Sequence, residues 1–154
     1  MSWHIYQPEG EDADHILDLA RRTPELNVGG IAGHFPDGAT LLDSIEHRDN
    51  DVWLLAVDDD GTGVGFVCAK IDDVDVLAVA SACVVYVAVD DVDRRTGIGR
   101  ELWRELNKIL RERGVQYVYA WAHPSNGAVK FFESIGFSEG SPCVFMDRRL
   151  EDAT

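Results

Sequence analysis

Hydrophobic and polar positions recur with two different periods along this chain, and the changes of period divide it into elements. Ser2–Gln7 has strand character, whereas Asp12–Arg22 puts Ile16, Leu17 and Leu19 on one side, as a helix does. Residues 23–39 hold two prolines and four glycines and predict an irregular loop. Asp37 or Thr40 can cap a second helix running to about His47. Val52–Val57 and Val64–Ile71 are β-rich runs, and the glycine cluster Gly61-Thr62-Gly63-Val64-Gly65, which follows Asp58-Asp59-Asp60, is the turn of a hairpin between them; Asp72–Asp75 marks a further turn before the long run Val76–Val89. Leu102, Leu106, Ile109 and Leu110 form one apolar face of a helix from Ile98 to Arg113, ended by Gly114. Val115–Ala122 reads as a strand, Pro124 and Ser125 open a fourth helix that closes at Gly136, and Phe137–Leu150 supplies a last strand pair or a bent strand. The order β-α-α-β-β-β-α-β-α-β predicts an α/β fold, a mixed and mostly antiparallel central sheet with helices on both faces, in one domain over residues 1–154.

Composition narrows the setting. An apolar fraction of 45% with four Trp, four Tyr and six Phe excludes a disordered chain. Met1–Pro8 has no basic stretch followed by an apolar one, and no apolar run approaches the roughly 18 residues of a membrane span. A cytoplasmic protein without membrane association is the expectation. Acidic residues number 28 against 14 basic ones, for a formal charge of −14, and this excess disfavours nucleic-acid phosphates as partners. It suits either a cationic substrate such as an amine or a heavily solvated surface in a salt-rich cytoplasm. Cys68, Cys83 and Cys143 are odd in number, lie in apolar runs and lack metal-ligand spacing, so buried free thiols and no metal are expected. Cys68 and Cys83 are candidates to face each other across a hairpin.

Against that acidic background Arg94-Arg95-Thr96-Gly97-Ile98-Gly99-Arg100 stands out, with three arginines in seven residues. It follows the apolar run Ala82–Val89 and leads directly into a helix. A strand that ends in such a turn leaves helix N-terminal N–H groups pointing one way, with the helix dipole adding positive charge, which suits a diphosphate. Gly97 and Gly99 allow the backbone close to an anion, and the arginines add charge. Leu102 stands where a Rossmann fingerprint needs its third glycine, and neither glycine is followed by the lysine of a P-loop.

The segment Val89-Asp90-Asp91-Val92-Asp93-Arg94-Arg95-Thr96-Gly97-Ile98-Gly99 resembles the acetyl-CoA signature of the GNAT N-acetyltransferases, Arg/Gln-x-x-Gly-x-Gly/Ala after a strand. Asp91 replaces a proline often found there. Downstream, Ser125-Asn126-Gly127-Ala128-Val129-Lys130-Phe131-Phe132-Glu133-Ser134-Ile135-Gly136-Phe137 is similar to the family's second signature. Together the two cover about the C-terminal half. The resemblance implies acetyl-CoA as co-substrate, a small-molecule or peptide amine as acceptor, and the fold order given above. It also implies a strand bulge that opens a gap for the pantetheine arm, lined by the backbone of Val87 and Val89. Arg94, Arg95, Thr96, Gly97, Ile98, Gly99 and Arg100 would hold the diphosphate, with Ser125, Asn126 and Phe132 near the arm; Ser125 or Asn126 can instead cap the helix, the reading preferred for Ser125.

Two departures from the family pattern bear on catalysis. Phe132 occupies the position of the tyrosine that commonly protonates the leaving thiolate, and Ser81, Ala82 and Cys83 fill a region where a glutamate is often placed. The substitute acid–base candidates are His123, whose ordinary pKa suits proton transfer near neutrality, and Tyr86, a phenol on the strand before the phosphate turn. Each also has a plain structural reading, a turn histidine before Pro124 and a packed aromatic. His34 and Phe35 lie in the glycine-rich loop that in this family commonly covers the acceptor. The expected activity is direct attack of a primary amine in a ternary complex. The alternative is a non-catalytic acyl-CoA-binding or regulatory module of the same fold. Exposed sheet edges near the C-terminus suggest a homodimer.

Overall fold

The computed structural model describes residues 2–23, 35–73, 79–90, 94, 96–122, 127–144, 146, 148 and 150. Its elements are β1 (Trp3–Tyr6), a 3-10 turn (Gly10–Asp12), α1 (Ala13–Arg21), α2 (Gly38–Glu46), β2 (Asp51–Asp58), β3 (Gly63–Ile71), β4 (Ser81–Val89), α3 (Ile98–Glu112), β5 (Tyr117–Ala120) and α4 (Ala128–Ser134). The five strands form one sheet in the order β1-β2-β3-β4-β5. All neighbours are antiparallel except β4 and β5, because α3 carries the chain back across the sheet before β5 begins. None of the helices described is long and apolar enough to cross a membrane.

Local chemistry sets several boundaries. Asp58 builds the β2–β3 hairpin: its Oδ1 accepts N–H bonds from Asp60 and Thr62, each 2.9 Å, and Gly61 takes φ 81°. Asp37, not Thr40, caps α2, since the Thr40 N–H donates to Asp37 Oδ1 at 2.9 Å. The same N–H bond holds the Asp37 carboxyl below its ordinary range. Both α3 and α4 end in Schellman turns. Val115 N–H reaches Leu110 C=O at 3.0 Å past Gly114 at φ 84°, and Phe137 N–H reaches Phe132 C=O at 2.9 Å past Gly136 at φ 101°.

Alternation distributes the strands' apolar side chains between two cores. Val52, Leu54, Val67 and Val84 join Leu102 and Leu106 of α3 on one face, while Trp53, Leu55 and Phe66 join Ile16, Leu19 and Leu41 of α1 and α2 on the other. Gly65 lies where α3 meets the sheet, and an added Cβ would come within 3.0 Å of Ile98 Cγ2 and 3.2 Å of Leu102 Cδ1. Its bareness lets the first turn of α3 lie close on β3.

Four expectations are corrected, the last being the burial of Cys143. The fold order holds through α4, but the described residues between Phe137 and Leu150 form no strand; Val144, Met146 and Leu150 are 81–87% exposed, and Gly140 and Pro142 interrupt the stretch. The strand expected over Val115–Ala122 is shorter, because Val115 is used in closing α3. Cys68 and Cys83 are both buried and free but not opposite each other: Cys68 pairs with Tyr86 and Cys83 with Lys70. Cys143 is exposed, as is Trp121 at 71%, whereas Trp53 is buried.

Candidate active site

The site begins where two strands part. β4 and β5 run parallel and in register from Ser81 opposite Tyr117 to Val84 opposite Ala120, and their pairing ends there. The next residue, Val85, is a bulge: Ala69 of β3 pairs with Val84, and Cys68 already pairs with Tyr86. An extra residue bends and twists the strand that carries it, which turns the rest of β4 away from β5. The Asp90 N–H donates to Val64 C=O at 2.9 Å, so alternation turns the N–H and C=O groups of Val87 and Val89 to the opposite edge, where β5 has ended. Arg94 agrees with that direction, its Nε–H donating to the Val89 carbonyl at 3.1 Å.

At the end of this open edge α3 begins. Gly97 is its N-cap at φ 98°, ψ 0°, without a side-chain cap, and the first intrahelical bond is Glu101 N–H to Gly97 C=O at 3.0 Å. The N–H groups of Ile98, Gly99 and Arg100 therefore precede the helix ladder. Ile98 is buried and anchors the turn, while Arg94, Thr96, Gly97 and Arg100 are exposed. Gly99 has a different reason to be glycine from the one its place in the motif suggests. A Cβ there would sit 2.8 Å from Cε1 of Phe131, so its bareness makes room for α4. A further contact escaped sequence reasoning: Trp3 Nε1–H donates to Glu101 Oε2 at 2.8 Å and holds the first-turn carboxylate toward β1. No spacing rule links residues 98 positions apart.

On the α1–α2 face, Tyr86 follows the bulge directly. Its ring lies 4.8 Å from that of Phe35 and is stacked 6.1 Å from that of buried Trp53. Tyr86 and Phe35 are half-buried, and no described residue hydrogen-bonds the Tyr86 hydroxyl. Burial, followed by the neighbouring Cys68 sulfur, raises the Tyr86 pKa and keeps the phenol protonated at neutral pH. Phe132 faces the other core: it is 7% exposed, with ring centroids 5.4 Å from Phe131 and 5.0 Å from Phe137. The position therefore serves packing. Arg95, His123, Ser125, Asn126 and His34 lie outside the described residues; the N-cap of α4 is Gly127 at φ 80°, not Ser125.

A sequence profile of the acetyltransferase (GNAT) family matches residues 13–137. The chain belongs to the GNAT family. GNAT enzymes use acetyl-CoA as co-substrate. The chain is 32% identical over 130 residues to a mycothiol acetyltransferase of Thermobispora bispora, covering 80% of this chain and 44% of that protein. It is 28% identical over 121 residues to a mycothiol acetyltransferase of Beutenbergia cavernae, covering 73% and 39%. It thus spans less than half the length of the curated relatives it matches. Among solved structures, AAC(6')-Iy in complex with the bisubstrate analog CoA-S-monomethyl-acetylneamine superimposes with a TM-score of 0.77 at 22% identity, covering 97% of this chain and 100% of that one. A ribosomal-protein-alanine N-acetyltransferase from Brucella melitensis gives 0.75 at 19% identity, covering 96% and 100%. At these identities the likeness is one of fold.

Within this GNAT fold the open edge and the helix start fit a pantetheine diphosphate: extended backbone groups face a gap, and unladdered N–H groups with arginines lie at its end. Gly97→Val tests the turn. A β-branched residue at φ 98° costs about 1–3 kcal/mol, so the strain either remains and lowers stability or relaxes and scatters the N–H groups. Acetyl-CoA affinity in calorimetry and the denaturation midpoint together should account for that loss; both unchanged would show that the turn does not need this conformation.

Cys83 lies opposite Tyr119, one residue before the β4–β5 pairing ends, and is held in the thiol form at neutral pH. Burial, with the Asp72 carboxylate nearby, pushes its pKa up to about 11. At a pH of about 8 an alkylating reagent should modify exposed Cys143 first and leave Cys68 and Cys83 largely intact, as peptide mass mapping will show. Labelling of Cys83 as fast as Cys143 would contradict its burial.

Proposed function

We propose that this chain is an acetyl-CoA-dependent N-acetyltransferase that acetylates a primary amine, on a small molecule or peptide, by direct attack in a ternary complex. The observation carrying this reading is the Val85 bulge: one extra residue opens the sheet edge beside the start of α3 and turns Val87 and Val89 toward the opening. Acetyl-CoA supplies the thioester. A backbone N–H on that edge polarises the thioester carbonyl as negative charge develops on its oxygen. The amine nitrogen forms the new N–C bond as the C–S bond breaks, its proton passing to His123 or water and the thiolate taking a proton from the Tyr86 hydroxyl. Holding amine and thioester together supplies most of the acceleration. His34 and Phe35 would border the acceptor, with Arg94, Arg95, Thr96 and Arg100 around the diphosphate. Binding of acetyl-CoA in the micromolar range by calorimetry is the expected result; none at those concentrations would remove the proposal.

One observation favours a second reading. With Phe132 in the core, the usual thiolate acid is absent, as it would be in an acyl-CoA-binding module that performs no chemistry. That reading predicts tight binding without turnover.

A further inference from the structure

Asp90 poses an electrostatic problem. It directly follows β4 and starts the acidic stretch Asp90-Asp91-Val92-Asp93 that leads to a turn read as a diphosphate site. A carboxylate there repels the anion that the turn attracts. In the fold it is met by Arg22, just beyond α1, whose Nη1 donates to Asp90 Oδ2 while Nη2 reaches Asp18 Oδ2 at 3.4 Å. Asp90 is the less exposed partner, at 15% against 41% for Arg22. The geometry around the pair is fixed from both sides. Thr23, 4% exposed, returns its hydroxyl to the Leu19 carbonyl at 2.9 Å and closes α1, while the Asp90 N–H is held by Val64.

We propose that Arg22, at the C-terminal end of α1 on the face opposite α3, is an electrostatic positioning residue for the acyl-CoA diphosphate: it neutralises Asp90 ahead of the turn and ties the strand's exit to α1. This rests on the acetyl-CoA reading above. Arg22 need not touch the ligand; it acts through the charge of Asp90. Asp90→Asn keeps an oxygen that can accept from Arg22 and removes only the charge, so it separates charge from geometry.

The test is acetyl-CoA titration by calorimetry of the unaltered protein, Arg22→Gln, Asp90→Asn and the double variant, at low and high salt. Arg22→Gln should bind about three- to tenfold more weakly at low salt, with most of the deficit lost as salt screens the unmasked carboxylate. Asp90→Asn alone should bind at least as tightly as the unaltered protein, and the double variant should recover to within about twofold of it. A merely structural role for the pair would leave the double variant as weak as Arg22→Gln at every salt concentration. That result would overturn the proposal, as would an unchanged Arg22→Gln. If Arg22→Gln does not fold, weakened binding by Asp90→Asn overturns it alone. No binding by the unaltered protein would instead remove the acetyl-CoA reading and this inference with it.

Discussion

Tyr86→Phe is expected to lower kcat for amine acetylation by about a hundredfold or more, with acetyl-CoA affinity unchanged to within about twofold. The substitution keeps the ring that stacks on Trp53 and meets Phe35, so packing on the α1–α2 face is preserved and only the hydroxyl is lost. Three features support the role proposed for that hydroxyl. It follows the Val85 bulge, where the sheet opens; it is hydrogen-bonded by no described residue; and its raised pKa leaves it protonated when a thiolate departs. If Tyr86 is the general acid proposed above, its removal slows C–S cleavage and leaves the turn at Gly97 undisturbed. Steady-state kinetics with a reactive amine, read as free-thiol release, measures the effect. An unchanged kcat would return Tyr86 to a packing role.

Phe132→Ala should destabilise the fold by about 3–5 kcal/mol, read as a lower denaturation midpoint with an unchanged slope. Phe132 is buried between α4 and the α3 face of the sheet, and its carbonyl accepts the Phe137 N–H that closes α4. Truncation leaves a cavity under that closure and loosens Phe131 and Phe137, both in ring contact with it. A loss below about 1 kcal/mol would show that the site collapses freely. Phe132→Tyr separates structure from chemistry at the same position. A hydroxyl without a partner costs about 1–3 kcal/mol and should not raise kcat. A tenfold rise would place the acid on α4 and remove it from Tyr86.

What the sequence made legible are the features written in local backbone chemistry. Gly97 and Gly136 hold φ 98° and 101°, conformations that select glycine directly, and so both signatures could be read from spacing. The Asp58 hairpin turn and the Asp37 cap were legible for the same reason: a short polar side chain bonds its own neighbourhood. The bulge that opens the site was not visible in the residues themselves. Ala82–Val89 is apolar almost throughout, so nothing in its pattern marks Val85 and Tyr86 as facing the same side. Gly99 shows the reverse failure. It fits the phosphate motif, yet the nearest atom to its missing side chain belongs to Phe131, brought there by packing of α4 on α3. Trp3 with Glu101 and Arg22 with Asp90 join distant parts of the chain, where only the folded sheet brings the charges and donors together.

The central claim, that the opened β4 edge serves acetyl transfer to an amine, is tested most directly by thiol release from acetyl-CoA across a panel of primary amines. The panel should include aminoglycosides, polyamines, amino-sugar thiols and peptide N-termini. Amine-dependent release above the hydrolytic background, with an equal amount of N-acetylated product by mass spectrometry, is the predicted result. Micromolar acetyl-CoA binding without amine-dependent release from any member would contradict it and leave an acyl-CoA-binding module.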